Sequence, residues 1–425
     1  MSCQTFQEFK AILSRPPQEP TVPIPASGLR CSIVEQLSEV DIDAWNALVN
    51  GDTLYLHSDY LRAMEASFSD ELSYRYVRFY EESRLVGVAA FQLTAFETGD
   101  ISSNFASSNT VVKWATKWLR RDSTFLRFNL LVCGNAFSTG EHGFRFCPSV
   151  SAEDTFRALH EAIERIKADC KSHGERISAI IVKDFYPPSY KFARQFRLHH
   201  YGQFEVDPNM MMPIRPEWKS FNDYLDALNS KFRTKARGAL KKSRELSIRR
   251  LTLEDFRTHR AEFERLYDQV YSRAGFRLGK LTPEAFENYF RMPGDKYFMF
   301  GYFLEDNMVG FQSGFEYDGV LDAHFVGLDY DYNHQYAVYP TMLYEYIREA
   351  IARGCTRVAF GRTAMEIKST VGAFPVDLKL YIRHRSTAPN TLLRILFSYI
   401  KPSEYSLRNP YKKDELEVLE TFELP

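Results

Sequence analysis

Apolar positions along this chain switch between a strand-like period of two and a helix-like period near 3.6, and the switch takes the same course twice. "RFYEESRLVGVAAFQL", from Arg78, and "GYFLEDNMVGFQSGFE", from Gly301, each read as an aromatic strand and a polar turn (Glu82-Ser83-Arg84; Glu305-Asp306-Asn307). Each then opens a second strand on apolar-Val-Gly. Gly87 and Gly310 fall at the same place, where a missing side chain permits a bulge or a close backbone approach. Downstream of the first hairpin, "FRALHEAIERIKADC" puts Phe156, Leu159, Ile163 and Ile166 on one helical face and leads into the strand "ISAIIV". Downstream of the second, "TMLYEYIREAIARG" does the same with Met342, Leu343, Tyr346, Ile347 and Ala350. Gly354 ends that helix and "TRVAF" follows as a strand. Pro340 suits the first helical turn, where its missing N–H costs nothing.

Each half therefore reads hairpin, further strands, helix, strand. A repeat of roughly 220 residues is too long for a solenoid unit and predicts a duplicated α/β fold, each copy a mixed sheet flanked by helices. The boundary is expected near Glu205–Trp218, giving domains over 31–207 and 208–388. A proline-dense extended arm (1–30) precedes them and a tail (389–425) follows.

Two domains also suit 425 residues, more than one ordinary core accommodates. A net charge of −1 steers the whole protein toward neither nucleic acid nor anionic membrane, so any basic surface is local. Six scattered cysteines without a CxxC pair argue against structural zinc or a disulfide framework and for reduced thiols in the cytoplasm. No run approaches the length of a transmembrane helix, and the N-terminus lacks the apolar core of a secretory leader. "NTLLRILFSYIKP" is expected to pack as a short helix on the second domain, and its basic flanks also permit peripheral membrane contact.

Local charge is concentrated in "KFRTKARGALKKSRELSIRR" (231–250), where nine cations face a single acid, Glu245. Phe221, Tyr224, Leu225 and Leu228 keep helical spacing upstream, and Phe232 and Leu240 continue it. The pattern predicts one helix with a buried stripe and a positive flank. Lys231, Arg233, Lys235, Arg237 and Lys241 are then candidates to hold phosphates of coenzyme A, an RNA backbone or lipid headgroups. A solvated helix face is the plain alternative. "FGRTAMEIKSTVGAF" (360–374) places Arg362, Thr363, Lys368 and Ser369 directly after a core strand, where open α/β sheets hold ligands. It is no phosphate-binding P-loop, since Ile367 stands where that motif needs glycine. Asp322 and His324 share a strand face by alternation and are candidates for proton transfer. In "LYLHSDYLRAM", Ser58 is the natural helix cap.

The duplicated arrangement resembles the tandem-domain acyltransferases of the GNAT superfamily, specifically the FemAB-like, peptidoglycan-biosynthesis-type group. The resemblance rests on "SKFRTKARGALKKSRE", "VYPTMLYEYI" and "FGRTAMEIKSTVGAF" in the second half and "LHSDYLRAMEAS" in the first, and spans roughly residues 50–385. It implies transfer of an acyl or aminoacyl group from acyl-coenzyme A or aminoacyl-tRNA to an amine or hydroxyl of a small or lipid-linked, cell-envelope-precursor acceptor, with no permanently bound cofactor. It also implies that Lys368 stands beside the reacting carbonyl, where an ammonium offsets developing negative charge, helped by Arg362. A structural pairing of Lys368 with Glu366 or Asp377 is the alternative. In such folds the N-terminus of the helix after the central strand takes the donor's pyrophosphate, which points to Tyr336, Tyr339 and Thr341. This chain departs from the pattern there: "QYAVYPT" (335–341) carries no glycine. That departure leaves a second reading, a non-catalytic scaffold that binds an anionic ligand.

Overall fold

A computed structural model describes residues 26–49, 53–97, 127–273, 279–387, 390–391 and 405–412. Most of the N-terminal arm and the tail segment 392–400 lie outside them.

The first half runs β1 (Arg30–Val34), α1 (Ile42–Val49), α2 (Ser58–Phe68), β2 (Leu72–Glu81), β3 (Arg84–Glu97), β4 (Arg127–Cys133) and β5 (Phe144–Phe146). It continues with α3 (Ala152–Ser172), β6 (Ala179–Phe185), α4 (Tyr190–Leu198) and β7 (Gly202–Pro213). The second half runs α5 (Phe221–Ala227), α6 (Ser230–Lys242), β8 (Leu246–Arg250), α7 (Leu253–Thr258), α8 (Arg260–Arg273), α9 (Pro283–Phe290), β9 (Tyr297–Leu304), β10 (Asn307–Tyr317) and β11 (Val320–Leu328). It ends with α10 (Tyr330–Tyr336), α11 (Val338–Ala352), β12 (Arg357–Ala359), α12 (Met365–Ser369) and β13 (Phe374–His384).

Both predicted hairpins form, as β2–β3 and β9–β10, and they match in detail. Each turns on a glutamate in the left-handed region, Glu82 (φ 54°) and Glu305 (φ 56°). In each the second strand carries one extra residue, a buried valine directly before the glycine. Phe79 pairs with Gly87 and Tyr80 with Leu85, so Val86 is bulged; Tyr302 pairs with Gly310 and Phe303 with Met308, so Val309 is bulged. Gly87 is needed because a Cβ there would strike the Phe146 ring at 2.4 Å. Parallel pairs follow the hairpins in both halves: β4 with β6 (Leu130↔Ala179 to Cys133↔Val182) and β11 with β12 (Val320↔Arg357 to Asp322↔Ala359). The intervening helices α3 and α11 bury the faces named above. The chain folds as two α/β halves of matching layout.

The halves are not separate bodies. All thirteen strands among the described residues join one sheet, ordered β1-β2-β3-β4-β6-β13-β7-β12-β11-β10-β9-β8 with β5 on β3. The last strand, β13, inserts between β6 and β7, while β7 pairs with β12. The boundary read between 207 and 208 thus falls inside β7. Composition marks proline and polar residues there, but the ladder hydrogen bonds to β13 carry the chain through as a strand. One apolar cluster spans the halves, joining Trp45, Tyr55, Tyr60 and Tyr76 to Phe263, Phe286, Tyr289 and Phe315. Burying that much aromatic surface is the main force docking them.

Two local readings change. The stripe from Phe221 to Leu240 is two helices, because Leu228 and Asn229 adopt extended backbone and the Asn229 side chain accepts from Phe232 N to cap α6. At α2 the cap is His57, whose Nδ1 accepts from Asp59 N at 3.3 Å, and Ser58 is the first helical residue.

Candidate active site

Strands β11 and β12 part after three residue pairs, and Asp322 is the last paired residue of β11. The rest of β11 is held by β10, where Ser313 Oγ bridges a bulge by donating to Phe325 O (3.1 Å) and accepting from Phe325 N (3.2 Å). Asp322 therefore sits at the crotch of a fork, the position predicted for chemistry.

Its surroundings come from both halves. Tyr55 Oη donates to Asp322 Oδ2 at 2.5 Å. The Tyr55 ring lies 4.5 Å from that of His142 in the loop after β4. In the same loop, Gly140 N donates to Asp184 Oδ2 (3.4 Å), and Asp184 forms an ion pair with Arg362. Arg362 O accepts from Lys368 Nζ (2.7 Å), and the Lys368 ammonium is an electrostatic neighbour of Asp322. The contacts close a ring around the junction of the halves. Burial pushes the Asp322 carboxyl up to about 6, against the pull of the Tyr55 hydrogen bond and the Lys368 charge. A carboxylate poised there is ionised at neutral pH yet basic enough to accept a proton from an amine.

Lys368 is buried, only 4% exposed, and its ammonium donates to three carbonyls: Phe360 O (2.7 Å), Gly361 O (3.2 Å) and Arg362 O (2.7 Å). Its three protons are all engaged, so none is left for an oxyanion on a substrate. Of the carboxylates offered as structural partners, Glu366 pairs with Arg408 instead. Burial drops the Lys368 ammonium to about 7, with Asp322 opposing the fall. What Lys368 holds is an unusual turn: Gly361 (φ 71°), Thr363 (φ 70°) and Ala364 (φ 48°) are all left-handed, a costly conformation for the last two. Arg362 is likewise committed, to the fully buried Asp184.

His324 does share the Asp322 face, but it is boxed by Phe286, Tyr289, Phe315 and Phe325. Both ring nitrogens are buried without a partner among the described residues, and burial lowers its pKa to about 3. Such a ring is too weak a base for the role expected of it.

The residues expected to take a pyrophosphate are closed off. Thr341 is fully buried, Tyr336 is buried at the end of α10, and Tyr339 N donates to Asn333 Oδ1 (2.9 Å). With proline next in sequence, the first turn of α11 is already capped by protein and offers a poor anion cradle.

On α6 the cations divide by helical phase. With Phe232, Ala236 and Ala239 buried, Lys231 and Lys235 flank one side of the stripe, and Arg233, Arg237 and Lys241 the other. Arg233 pairs with Asp226 at 3.7 Å, whereas Arg237 and Lys241 face solvent. Lys231 and Lys235 border an open groove of about 780 Å³, whose opposite wall is the 364–370 turn. The two segments singled out in the sequence thus meet, though across a groove rather than around one carbonyl.

Tyr55, Asp184 and the 134–143 loop were missed. One signal was legible: "AIIVKDF" breaks an apolar strand with Lys183-Asp184, as "VAFGR" does with Arg362. In the first half that fork is filled by the protein itself, since Lys183 Nζ donates to Asn135 O (2.5 Å) and Ser138 O (2.8 Å).

The sequence profile of the Acetyltransferase (GNAT) domain matches residues 230–369, from the start of α6 to the end of α12. Among solved structures, the chain is similar to a crystal structure of FemX at 12% identity, covering 85% of this chain and 100% of that one, with a TM-score of 0.51. It is also similar to a tandem GNAT protein from the clavulanic acid biosynthesis pathway (8% identity, 84% and 99% covered, TM-score 0.48). A third is the C-terminal domain of a putative lysylphosphatidylglycerol synthetase from Agrobacterium fabrum (8%, 84% and 95%, TM-score 0.45). No curated protein sequence matches this chain.

Proposed function

We propose, from the match of residues 230–369 to a GNAT acetyltransferase domain and the likeness of the fold to FemX, that the chain is an N-acyltransferase of FemAB-like organisation. It passes an acyl or aminoacyl group from an activated carrier, acyl-coenzyme A or aminoacyl-tRNA, to an amine. The observation that carries this reading is Asp322, placed at the fork of the second half and held by Tyr55 of the first with its pKa near 6. In this reading Asp322 is the general base. It takes the proton of the acceptor amine as nitrogen attacks the carrier-bound carbonyl. The acyl–carrier bond breaks as the acyl–nitrogen bond forms, and the proton leaves with the carrier or to solvent. Lys368 is a positioning residue: it fixes the 360–364 turn and keeps Asp322 ionised. The acceptor is a small molecule or a lipid-linked precursor meeting the junction between the halves.

The test is turnover by the full chain with acyl-coenzyme A esters and aminoacyl-tRNA against a panel of amines, alongside Asp322→Asn. Turnover in the parent and its loss in the variant, with carrier binding unchanged, support the enzyme. Carrier binding without turnover on any amine supports the non-catalytic scaffold instead, a reading favoured by the capped N-terminus of α11.

A further inference from the structure

The exposed face of α6 takes no part in the Asp322 chemistry, and its charge is too one-sided for an ordinary solvated surface. At about 100° per residue, buried Phe232, Ala236 and Ala239 share a narrow arc of the helix. The exposed positions lie opposite: Thr234 and Gly238 form a crest, with Lys231, Lys235 and Lys242 down one flank and Arg237 and Lys241 down the other. That face holds five cations and no acid. Solvated helix faces commonly pair opposite signs three or four residues apart, but the ion pair α6 makes among the described residues is Arg233 with Asp226, away from the crest. A Cβ added at Gly238 would meet nothing within 4 Å, so no packing demands glycine there, although glycine weakens a helix interior. A crest of small residues lets a flat surface reach both flanks at once.

The C-terminal segment 405–412 extends this face as a strap. Lys412 N donates to Ala227 O (3.3 Å) and Asn229 N donates to Pro410 O (2.9 Å), directly before α6. Arg408 N donates to Ser369 Oγ (3.0 Å), and Tyr405 and Arg408 border the same groove as Lys231 and Lys235. Between those two groove residues in sequence stands Leu407, 54% exposed, one of two large apolar side chains so exposed among the described residues. The strap is anchored on either side of it, so this leucine is held out on a fixed backbone beside the basic helix. Lys412 adds a further exposed cation.

We infer that α6 and the strap dock the protein on an anionic lipid bilayer, the cations over the headgroups and Leu407 entering the interface. Four of the five cations on the face are lysines, which act as point charges rather than as the planar forks that read phosphate geometry. No aromatic ring stands on the crest to stack a base, as single-stranded nucleic acid sites require. Positive charge spread over a convex face suits the spread negative charge of a leaflet. An exposed leucine adds nothing to a contact with nucleic acid phosphates, whereas the headgroup layer takes up an aliphatic side chain. Docking of this kind is independent of the acyl-transfer reading and holds whether or not Asp322 is the base.

The test is co-sedimentation of the full chain with vesicles of phosphatidylcholine and with vesicles of equal parts phosphatidylcholine and phosphatidylglycerol, alongside capture by a duplex RNA at the same salt. Binding to the anionic vesicles alone is expected, weakening as salt is raised. It should fall about fivefold per cation removed, both in Lys231→Ala with Lys235→Ala and in Arg237→Ala with Lys241→Ala. A bilayer meets both flanks, whereas a ligand confined to the groove would meet only Lys231 and Lys235. Leu407→Ser should weaken vesicle binding as well. No binding to anionic vesicles, equal binding to both kinds, a loss confined to Lys231 and Lys235, an unchanged affinity in Leu407→Ser, or tighter capture by duplex RNA overturns the proposal. Asp322→Asn should sediment as the parent does, which separates this surface from the proposed chemistry. The substituted side chains are all exposed, so the fold should survive their loss; circular dichroism of each variant checks this.

Discussion

Tyr55 and Asp322, 267 residues apart in the chain, share a 2.5 Å hydrogen bond in which the phenol of the first half holds the carboxylate of the second. Tyr55 is almost wholly buried against Tyr60, Phe315 and His142, so its hydroxyl is fixed by packing rather than by solvent. The base of the proposed reaction is thus set in place by the docking of the two halves.

Asp322→Asn keeps a carbonyl oxygen to accept from Tyr55 and so preserves the fold while removing the base. The expected loss in kcat/KM is about 10²–10⁴-fold. Rate against pH in the parent should rise through an acid limb near 6, where Asp322 ionises. That limb should be missing from the variant's residual activity.

Lys368→Met separates two roles. The ammonium lowers the Asp322 pKa, so its removal should raise it and move the acid limb of the rate profile upward. A loss of 100-fold or more with an unmoved limb would instead assign Lys368 to direct oxyanion stabilisation.

His324→Leu tests the boxed imidazole. Removing two buried, unpartnered nitrogens should stabilise the protein by about 1–3 kcal/mol. The His324 pKa is depressed on folding, from 6.5 to about 3, so a further penalty, absent above pH 6.5, grows as pH falls toward 3. Asp322 acts oppositely: its pKa is raised from 3.8 to about 6, so its burial penalty is relieved as pH falls through that window. Urea melts between pH 4 and 7 should therefore show less acid destabilisation in the variant than in the parent, with turnover retained.

Thr363→Gly bears on the turn that Lys368 holds. A β-branched residue at φ 70° is strained, and glycine there should stabilise the fold by roughly 1 kcal/mol. The same change should lower kcat, since a looser 360–364 turn no longer fixes the Arg362 and Lys368 side chains. Thermal melts and initial rates on one preparation check both signs.

Gly314→Ala is expected to be severe. A Cβ at that position would lie 2.4 Å from the Phe298 ring and 3.0 Å from Asp322 O, on backbone that cannot yield easily. Destabilisation of about 1–3 kcal/mol and displacement of β11 should follow, read by denaturation and by activity.

The hydrophobic pattern alone specified the duplicated hairpins, down to the glycine beside each bulged valine, and the apolar faces of α3 and α11. These are local consequences of period and turn chemistry, which one stretch of chain carries by itself. It also singled out Asp322 and the two segments that border the groove. What it could not convey were partners drawn from the other half. The engagement of Arg362 by Asp184 and of Asp322 by Tyr55 depends on strand order and on the insertion of β13 beside β6. Charge pairing and burial are properties of distance in space. Only the folded sheet decided which cation was spent on structure, which carboxylate was buried at the fork with a raised pKa, and where the boundary between halves dissolved into one ladder.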